Sequence, residues 1–176
     1  DIGSNTVHLL VAEAGSNRLR RLANESVWLS LGEVVSRMAL IPADVEDSLI
    51  VTLKRFRKMA EGLNAERLYV FATEAMRVAL NHEEVLDRIN RAVDIRVDLI
   101  PATREAELSF AGTTLDIERK EPAIMVEVGG GSAQIAWINQ GQILQQASLP
   151  IGTGRMIARY GVHSPCDATV IHELQL

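Results

Sequence analysis

Apolar and polar positions change period several times along the chain, and each change predicts an element. TVHLLVAEAG (6–15) reads as a strand with a turn at GSN (15–17), and RLRRLANESVWLSLG (18–32) returns with partial alternation as one or two further strands. Pro42 opens a helix. Val45, Leu49, Leu53, Phe56, Ala60 and Leu63 fall at steps of three and four, giving one apolar face to about Leu63. The other face carries Lys54, Arg55, Arg57 and Lys58, read as solvated charge, with polyanion binding as the minority reading. RLYVFAT (67–73) is a short buried strand and EAMRVALN (74–81) a short helix or turn. Asn81 and Glu84 have capping-box spacing and open a helix with Val85, Ile89 and Val93 inward. DIRVDLI (94–100) is a strand. TREAELSFAGTTLD (103–116) is helical, with Ala106, Phe110 and Ala111 or Leu115 inward. PAIMVEV (122–128) is apolar on both faces, as central parallel strands are. SAQIAWINQGQILQQASL (132–149) is a hairpin turning at NQG, and GTGRMIARYG (152–161) a helix ending at Gly161. The last residues, VIHELQL, read as a helix in progress.

A repeat lies within this order. DIGSNTVHLLVAEAG matches EVGGGSAQIAWINQG without gaps at an interval of 126 residues, from Asp1 to Glu127. Ile2 pairs with Val128, Gly3 with Gly129, Thr6 with Ser132 and Gly15 with Gly141. WLSLG (28–32) echoes SLPIG (148–152). The shared pattern is an acid, an aliphatic residue, glycine, two small residues and a hydroxyl, followed by a strand and a hairpin. It predicts two similar α/β lobes, each presenting an acidic turn of small residues at the end of its first strand.

Composition narrows the classes. The 176 residues are 47% hydrophobic and 23% charged, the balance of an ordinary soluble protein with a core. A net charge of −5 argues against a non-specific nucleic-acid binder. No apolar run reaches the length of about 18 residues that a membrane span needs, and there is no signal peptide. The single cysteine, Cys166, excludes a disulfide within the chain and suits a reducing compartment, so a cytoplasmic protein is expected. The chain starts inside a motif, so it is read as part of a longer protein whose first strand begins before Asp1.

The repeated turn has a chemistry. Small residues in a strand-to-strand turn expose converging backbone N–H groups, an anion-binding concavity to which the hydroxyl adds a donor. A carboxylate before such a turn would repel phosphate on its own. It is accounted for if it holds a divalent cation that bridges to phosphate oxygens. GGGS seen once is a tight hairpin turn; seen twice in one frame, it is a phosphate loop.

DIGSNTVHLLV, LGE (31–33), ATEAMR (72–77), the EAEL that follows IPAT, VEVGGGSAQ and SLPIGTGRM fall in the order and spacing of the exopolyphosphatase and guanosine pentaphosphate phosphohydrolase family, which the chain resembles to about Tyr160. The resemblance implies an α/β, ribonuclease H-like fold of the actin, hexokinase and Hsp70 superfamily. It has two related lobes, the first over 1–118 and the second beginning at 119 and incomplete in this chain, with the active site between them. It implies a first phosphate loop of Gly3, Ser4, Asn5 and Thr6 and a second of Gly129, Gly130, Gly131 and Ser132. By the same resemblance Arg77, in the place of the arginine of the family's ATSAVR, would pair with a phosphate. Glu105, in the family's EEAR segment, would be the catalytic carboxylate that orients or deprotonates a water, and Asp1 and Glu127 would hold Mg²⁺. The implied substrate is polyphosphate or a phosphorylated guanine nucleotide, with no nucleic acid or membrane as partner; a homodimer is left open.

Three positions depart from the family. Its second loop begins DIGGGS, where this chain has Glu127, whose extra methylene carries the carboxylate about 1.5 Å further out. The loop continues GGGSTE, where this chain has Gln134, which has an acceptor oxygen but no charge. Gly-acid-acid before Glu105 is here Ala102, Thr103 and Arg104. A binding or sensor protein of the same fold that has lost turnover is therefore a second reading. A kinase or ATPase of the wider superfamily is a third, and would need an adenosine-binding segment beyond this chain. His8, His82, His163 and His172 lack metal-ligand spacing, although His8 occupies the repeat position of Gln134 and is a candidate to face the cleft. Cys166 is read as inert, and Trp28 and Trp137 as core.

Overall fold

The structure, a computed structural model, describes residues 1–15, 19–114 and 121–161. The turn residues Ser16 and Asn17, Leu115, the expected lobe boundary at 118, His163, His172, Cys166 and the VIHELQL segment lie outside the described residues. Two compact units are present, Asp1–Leu99 and Ile100–Leu176.

In the first unit, β1 (Thr6–Ala14) pairs antiparallel with β2 (Leu19–Trp28). Alternation sends Val7, Leu9 and Val11 into the core and leaves His8 and Leu10 exposed. Helix α1 (Leu31–Met38) follows, which the sequence pattern had not separated from the strand before it. It forms because Leu31 and Val35 share an inward face, Glu33 and Arg37 pair at 3.0 Å one turn apart, and Ala39 closes it in the left-handed region at φ 59°. Helix α2 (Ala43–Gly62) starts after Pro42 as expected and buries Leu49, Leu53, Phe56 and Ala60. Lys54, Arg55 and Lys58 are exposed, whereas Arg57 is tied to Glu61 and Asp94.

The expected strands at 67–73 and 94–100 shrink to β3 (Phe71–Ala72) and β4 (Asp98–Leu99), which pair in parallel. Between them lie α3 (Glu74–Val78) and α4 (His82–Val93), the latter burying Val85, Ile89 and Val93 as the periodicity predicts. The capping box at Asn81 and Glu84 does not form: the Asn81 side chain makes no cap bond. Its amide instead accepts from Ile41 N at 2.9 Å and donates to Ile41 O at 2.8 Å, serving a buried loop backbone rather than its own helix. Ile2 joins the two halves of the unit. It bridges antiparallel to Val7 and parallel to Ala72, donating to Phe71 O at 2.8 Å and accepting from Thr73 N at 3.2 Å. The hydrophobic core packs around it, with Leu31, Ile41, Leu49, Met76 and Ile89 sealed from solvent.

In the second unit, α5 (Ala102–Thr113) buries Ala106; Phe110 is half-buried and Ala111 exposed. α5 lies against β6 (Ala133–Asn139) and β7 (Gln142–Leu149). Strand β5 (Ala123–Val128) pairs antiparallel with β6, and β6 with β7, in the order β5-β6-β7. The expectation of a central parallel strand is thus corrected among the described residues: β5 is an edge, and Ile124, Val126 and Val128 on one of its faces are exposed. The β6–β7 turn is the expected one, with Gln140 and Gly141 at φ 50° and 74°, the two positive angles that match strand twist in a two-residue hairpin. Helix α6 (Thr153–Tyr160) ends at Gly161 with φ 62°. Trp28 and Trp137 are 63% and 48% exposed, so neither is core. Trp28 closes β2 and donates its indole N–H to Ser30 Oγ; Trp137 lies on the exposed sheet face with Ile135.

The repeat is physical as well as textual. β1–β2 shifts register between Val11 and Ala12, and β6–β7 between Trp137 and Ile138, the equivalent positions at the 126-residue interval. Each unit thus carries the same loop, strand, bulge, returning strand and helix.

Candidate functional site

The first loop is built from the backbone. Gly3 N donates to Thr6 O at 3.0 Å, folding the four residues into a tight turn. A side chain at Gly3 would begin 2.9 Å from that same carbonyl, so the turn requires glycine. Ser4 O accepts from Gly32 N at 2.6 Å, and Asn5 O accepts from Leu29 N and Ser30 N at 2.9 and 3.0 Å. Gly32 is also pressed on Ser4, where a methyl group would meet Ser4 Cβ at 2.9 Å. The Ser4 hydroxyl is buried and donates to Glu74 Oε2 at 3.4 Å. Asp1, exposed, pairs through its backbone with His8, and its carboxylate lies over Gly3.

The second loop repeats the construction. Gly129 N donates to Ser132 O at 2.8 Å, the counterpart of Gly3 and Thr6. Gly129 O accepts from Thr153 N at 3.0 Å, and Gly130 O from Gly154 N at 2.8 Å and Arg155 N at 3.3 Å. Gly131 O accepts from Arg155 Nε at 3.2 Å. Ser132 and Gln134 are buried, and the Gln134 amide donates to Ser132 Oγ at 2.8 Å. Glu127 stands opposite Gln134 in the strand register but is exposed.

The structure places each predicted residue within its own unit. In the first, Asp1, Gly3, Ser4, Asn5 and Thr6 share one turn. Thr73, which pairs with Ile2, leads directly into α3 and the half-buried Arg77. In the second, Glu127 leads into Gly129–Ser132, while Glu105 is half-buried in the first turn of α5. His8 and Gln134 share a repeat position but not an environment, one exposed and the other sealed. Sequence reasoning assigned no role to Glu74, Gly32, Gly152 or Arg155. Glu74 was visible as the acid replacing serine in ATSAVR; the two glycines were visible as the echoed ends of WLSLG and SLPIG.

Asp1 stands just before the first turn and Glu127 on the strand that leads into the second, both exposed. A carboxylate is the ligand type that Mg²⁺ takes, one or two at a time, with water and phosphate oxygens in its remaining positions. No group of three or more His, Cys, Asp or Glu gathers among the described residues, so a purely protein-made metal cage is not present there. No described helix is long and apolar enough to cross a membrane.

The chain is similar to proteins already known. The chain is 30% identical over 158 residues to exopolyphosphatase 1 of Mycobacterium tuberculosis, a match covering 89% of this chain and 46% of that protein. The crystal structure of an exopolyphosphatase from Cytophaga hutchinsonii superposes with a TM-score of 0.86 at 32% identity, over 95% of this chain and 54% of that one. A Ppx/GppA family member from Aquifex aeolicus gives 0.79 at 26% identity, over 98% and 56%. The chain spans about half the length of these relatives. The fold is the ribonuclease H-like α/β fold of the actin, hexokinase and Hsp70 superfamily. With two turns of one design and a sequence profile matched over residues 10–175, the chain belongs to the Ppx/GppA phosphatase family.

Proposed function

We propose that this chain is the part of a phosphohydrolase that grips a phosphoanhydride chain and releases its terminal phosphate, from inorganic polyphosphate or guanosine pentaphosphate. The observation that carries the reading is the repeated turn, in which Gly3 bonds to Thr6 in one unit and Gly129 to Ser132 in the other. One such turn is a structural convenience. Two of the same design suit a substrate that is itself a repeating polyanion.

The roles follow from chemistry. With the Gly3 and Gly129 N–H groups closing the turns, the N–H groups of Ser4–Thr6 and Gly130–Ser132 would bind phosphate oxygens, and Arg77 would add a bidentate guanidinium contact. Glu105 would hold the attacking water in line with the terminal phosphorus and accept its proton. Asp1 and Glu127 would hold Mg²⁺, which when bound neutralises charge on the phosphate oxygens. The lobes are taken as 1–118 and from 119 onward. The protein is taken as cytoplasmic, with no nucleic-acid or membrane partner, and a homodimer is left open.

Gln134 favours a second reading, a polyphosphate- or nucleotide-binding sensor with weakened turnover. It is fully buried and uncharged where the family has a carboxylate, and its amide is committed to Ser132. One experiment separates the readings: phosphate release from long-chain polyphosphate, with and without Mg²⁺, by the intact protein and its Glu105→Gln and Glu127→Asp/Gln134→Glu variants. The enzymatic reading expects Mg²⁺-dependent release that falls at least 100-fold in Glu105→Gln, on the order of a general-base contribution. Equal release by wild type and Glu105→Gln would remove Glu105 from the chemistry. Binding without release, with release appearing in the double variant, selects the sensor.

A further inference from the structure

Gly152, the residue before α6, is pressed against the second loop. A Cβ on Gly152 would lie 2.5 Å from the carbonyl carbon and oxygen of Gly130 and from the carbonyl carbon of Gly131, so any other residue would push loop and helix apart. The contact is also polar along its length. The carbonyls of Gly129, Gly130 and Gly131 are each taken by the first residues of α6, the third by the Arg155 side chain.

A trans peptide points C=O of one residue and N–H of the next in opposite directions. Three successive carbonyls turned towards α6 therefore turn the N–H groups of Gly130, Gly131 and Ser132 away from it, side by side. Three consecutive glycines have no intrinsic preference for this arrangement and lose more freedom than any other sequence in adopting it. The first loop, with side chains at Ser4 and Asn5, is held by backbone donors from residues 29, 30 and 32, and the position equivalent to Arg155 relative to its glycine is Val35. The arginine is thus an addition made where the loop is all glycine.

We propose that Gly152 and Arg155 are positioning residues that hold the Gly129–Ser132 loop with three N–H groups aimed at one bound anion. Their effect on function rests on the phosphate-loop reading above; their effect on the loop does not. The test uses the intact protein with Gly152→Ala, Arg155→Met, Arg155→Lys and, as a control on the same helix, Arg159→Met. Thermal melts establish folding. The amide resonances of Gly130, Gly131 and Ser132 are then recorded without ligand, and the Kd for inorganic polyphosphate of fixed length is measured.

In Arg155→Met, at near wild-type Tm, the three amide resonances are expected to shift and Kd to rise about tenfold. Arg155→Lys, which keeps a cationic donor, is expected to recover part of both; Arg159→Met is expected to change neither. Unmoved amide resonances in Arg155→Met overturn the proposal, as does an unchanged Kd in a protein that binds polyphosphate. A wild type that binds no polyphosphate overturns the phosphate-loop reading instead, and the ligand-free resonances still decide whether the brace exists. Gly152→Ala, if folded, must move the same resonances; if they stay in place, the glycine has no part in it.

Discussion

Single residues in this chain act through the backbone more than through their own side-chain chemistry. Gly3 and Gly129 suit the two turns because a Cβ on either would lie only 2.9 Å from Thr6 O or 3.2 Å from Ser132 O, the carbonyl that closes the turn. Asn81 shows the same economy from the other direction, since its amide completes the peptide of Ile41 through two hydrogen bonds of 2.8 and 2.9 Å. Replacing Asn81 with alanine leaves both groups of a buried residue without these partners. The expected loss is about 1–3 kcal/mol, read as a lower urea midpoint at unchanged slope. A capping role would predict loss of helicity in α4 with Ile41 undisturbed, which hydrogen exchange at the Ile41 amide distinguishes. The residue pattern Asn-x-x-Glu was legible in the sequence. What the asparagine bonds to was not, because Ile41 is 40 positions away and only the folded chain brings it near.

At the scale of elements, α2 and α4 and the short helices α3 and α6 form where the pattern placed them, whereas β3 and β4 are shorter than expected and α1 was not foreseen. Helix α2 is long enough to average its pattern, and Leu49, Leu53, Phe56 and Ala60 are inward as the spacing named. Val45, however, is half-buried, Leu63 is exposed, and Glu46, Ile50 and Thr52 are buried beside the expected face. Leu49 is fully buried, so Leu49→Ala is expected to cost about 2–5 kcal/mol through lost burial and the cavity left behind. Lys54→Ala, on the exposed face of the same helix, is expected to change stability by less than about 0.5 kcal/mol. Equal destabilisation by the two, in denaturant titrations, would mean that the charged face is packed. Strands β3 and β4 have only two residues each and exist because Ile2 and parallel pairing hold them, which no local pattern announces. Helix α1 was missed for a related reason: its eight residues follow β2 so closely that the apolar positions of strand and helix run together.

At the scale of the whole molecule, buried apolar contact among the described residues is unevenly distributed. The large hydrophobic cluster lies wholly in the first unit, from Ile2 to Ile95, whereas the buried apolar residues described in the second are Ala106, Ala133, Ala136 and Ile138. Local opening costs less where fewer apolar contacts resist it. Hydrogen exchange followed by mass spectrometry is expected to show slowest exchange in β1, α2 and α4, and exchange at least tenfold faster in β5. Uniform protection across both units would contradict this distribution. The sequence alone determined the family, the two acidic glycine turns and their spacing, and the long helices, because these are written in local pattern and in a repeat of fixed interval. Only the tertiary structure decided that the first turn is held by Leu29, Ser30 and Gly32 and the second by the first residues of α6, that Glu74 reaches Ser4, that Gln134 is sealed beneath Ser132, and that Arg155 ties down the third glycine. Those are contacts between residues 2 to 70 positions apart, and their geometry is set by how the strands and helices pack rather than by any residue's neighbours in the chain.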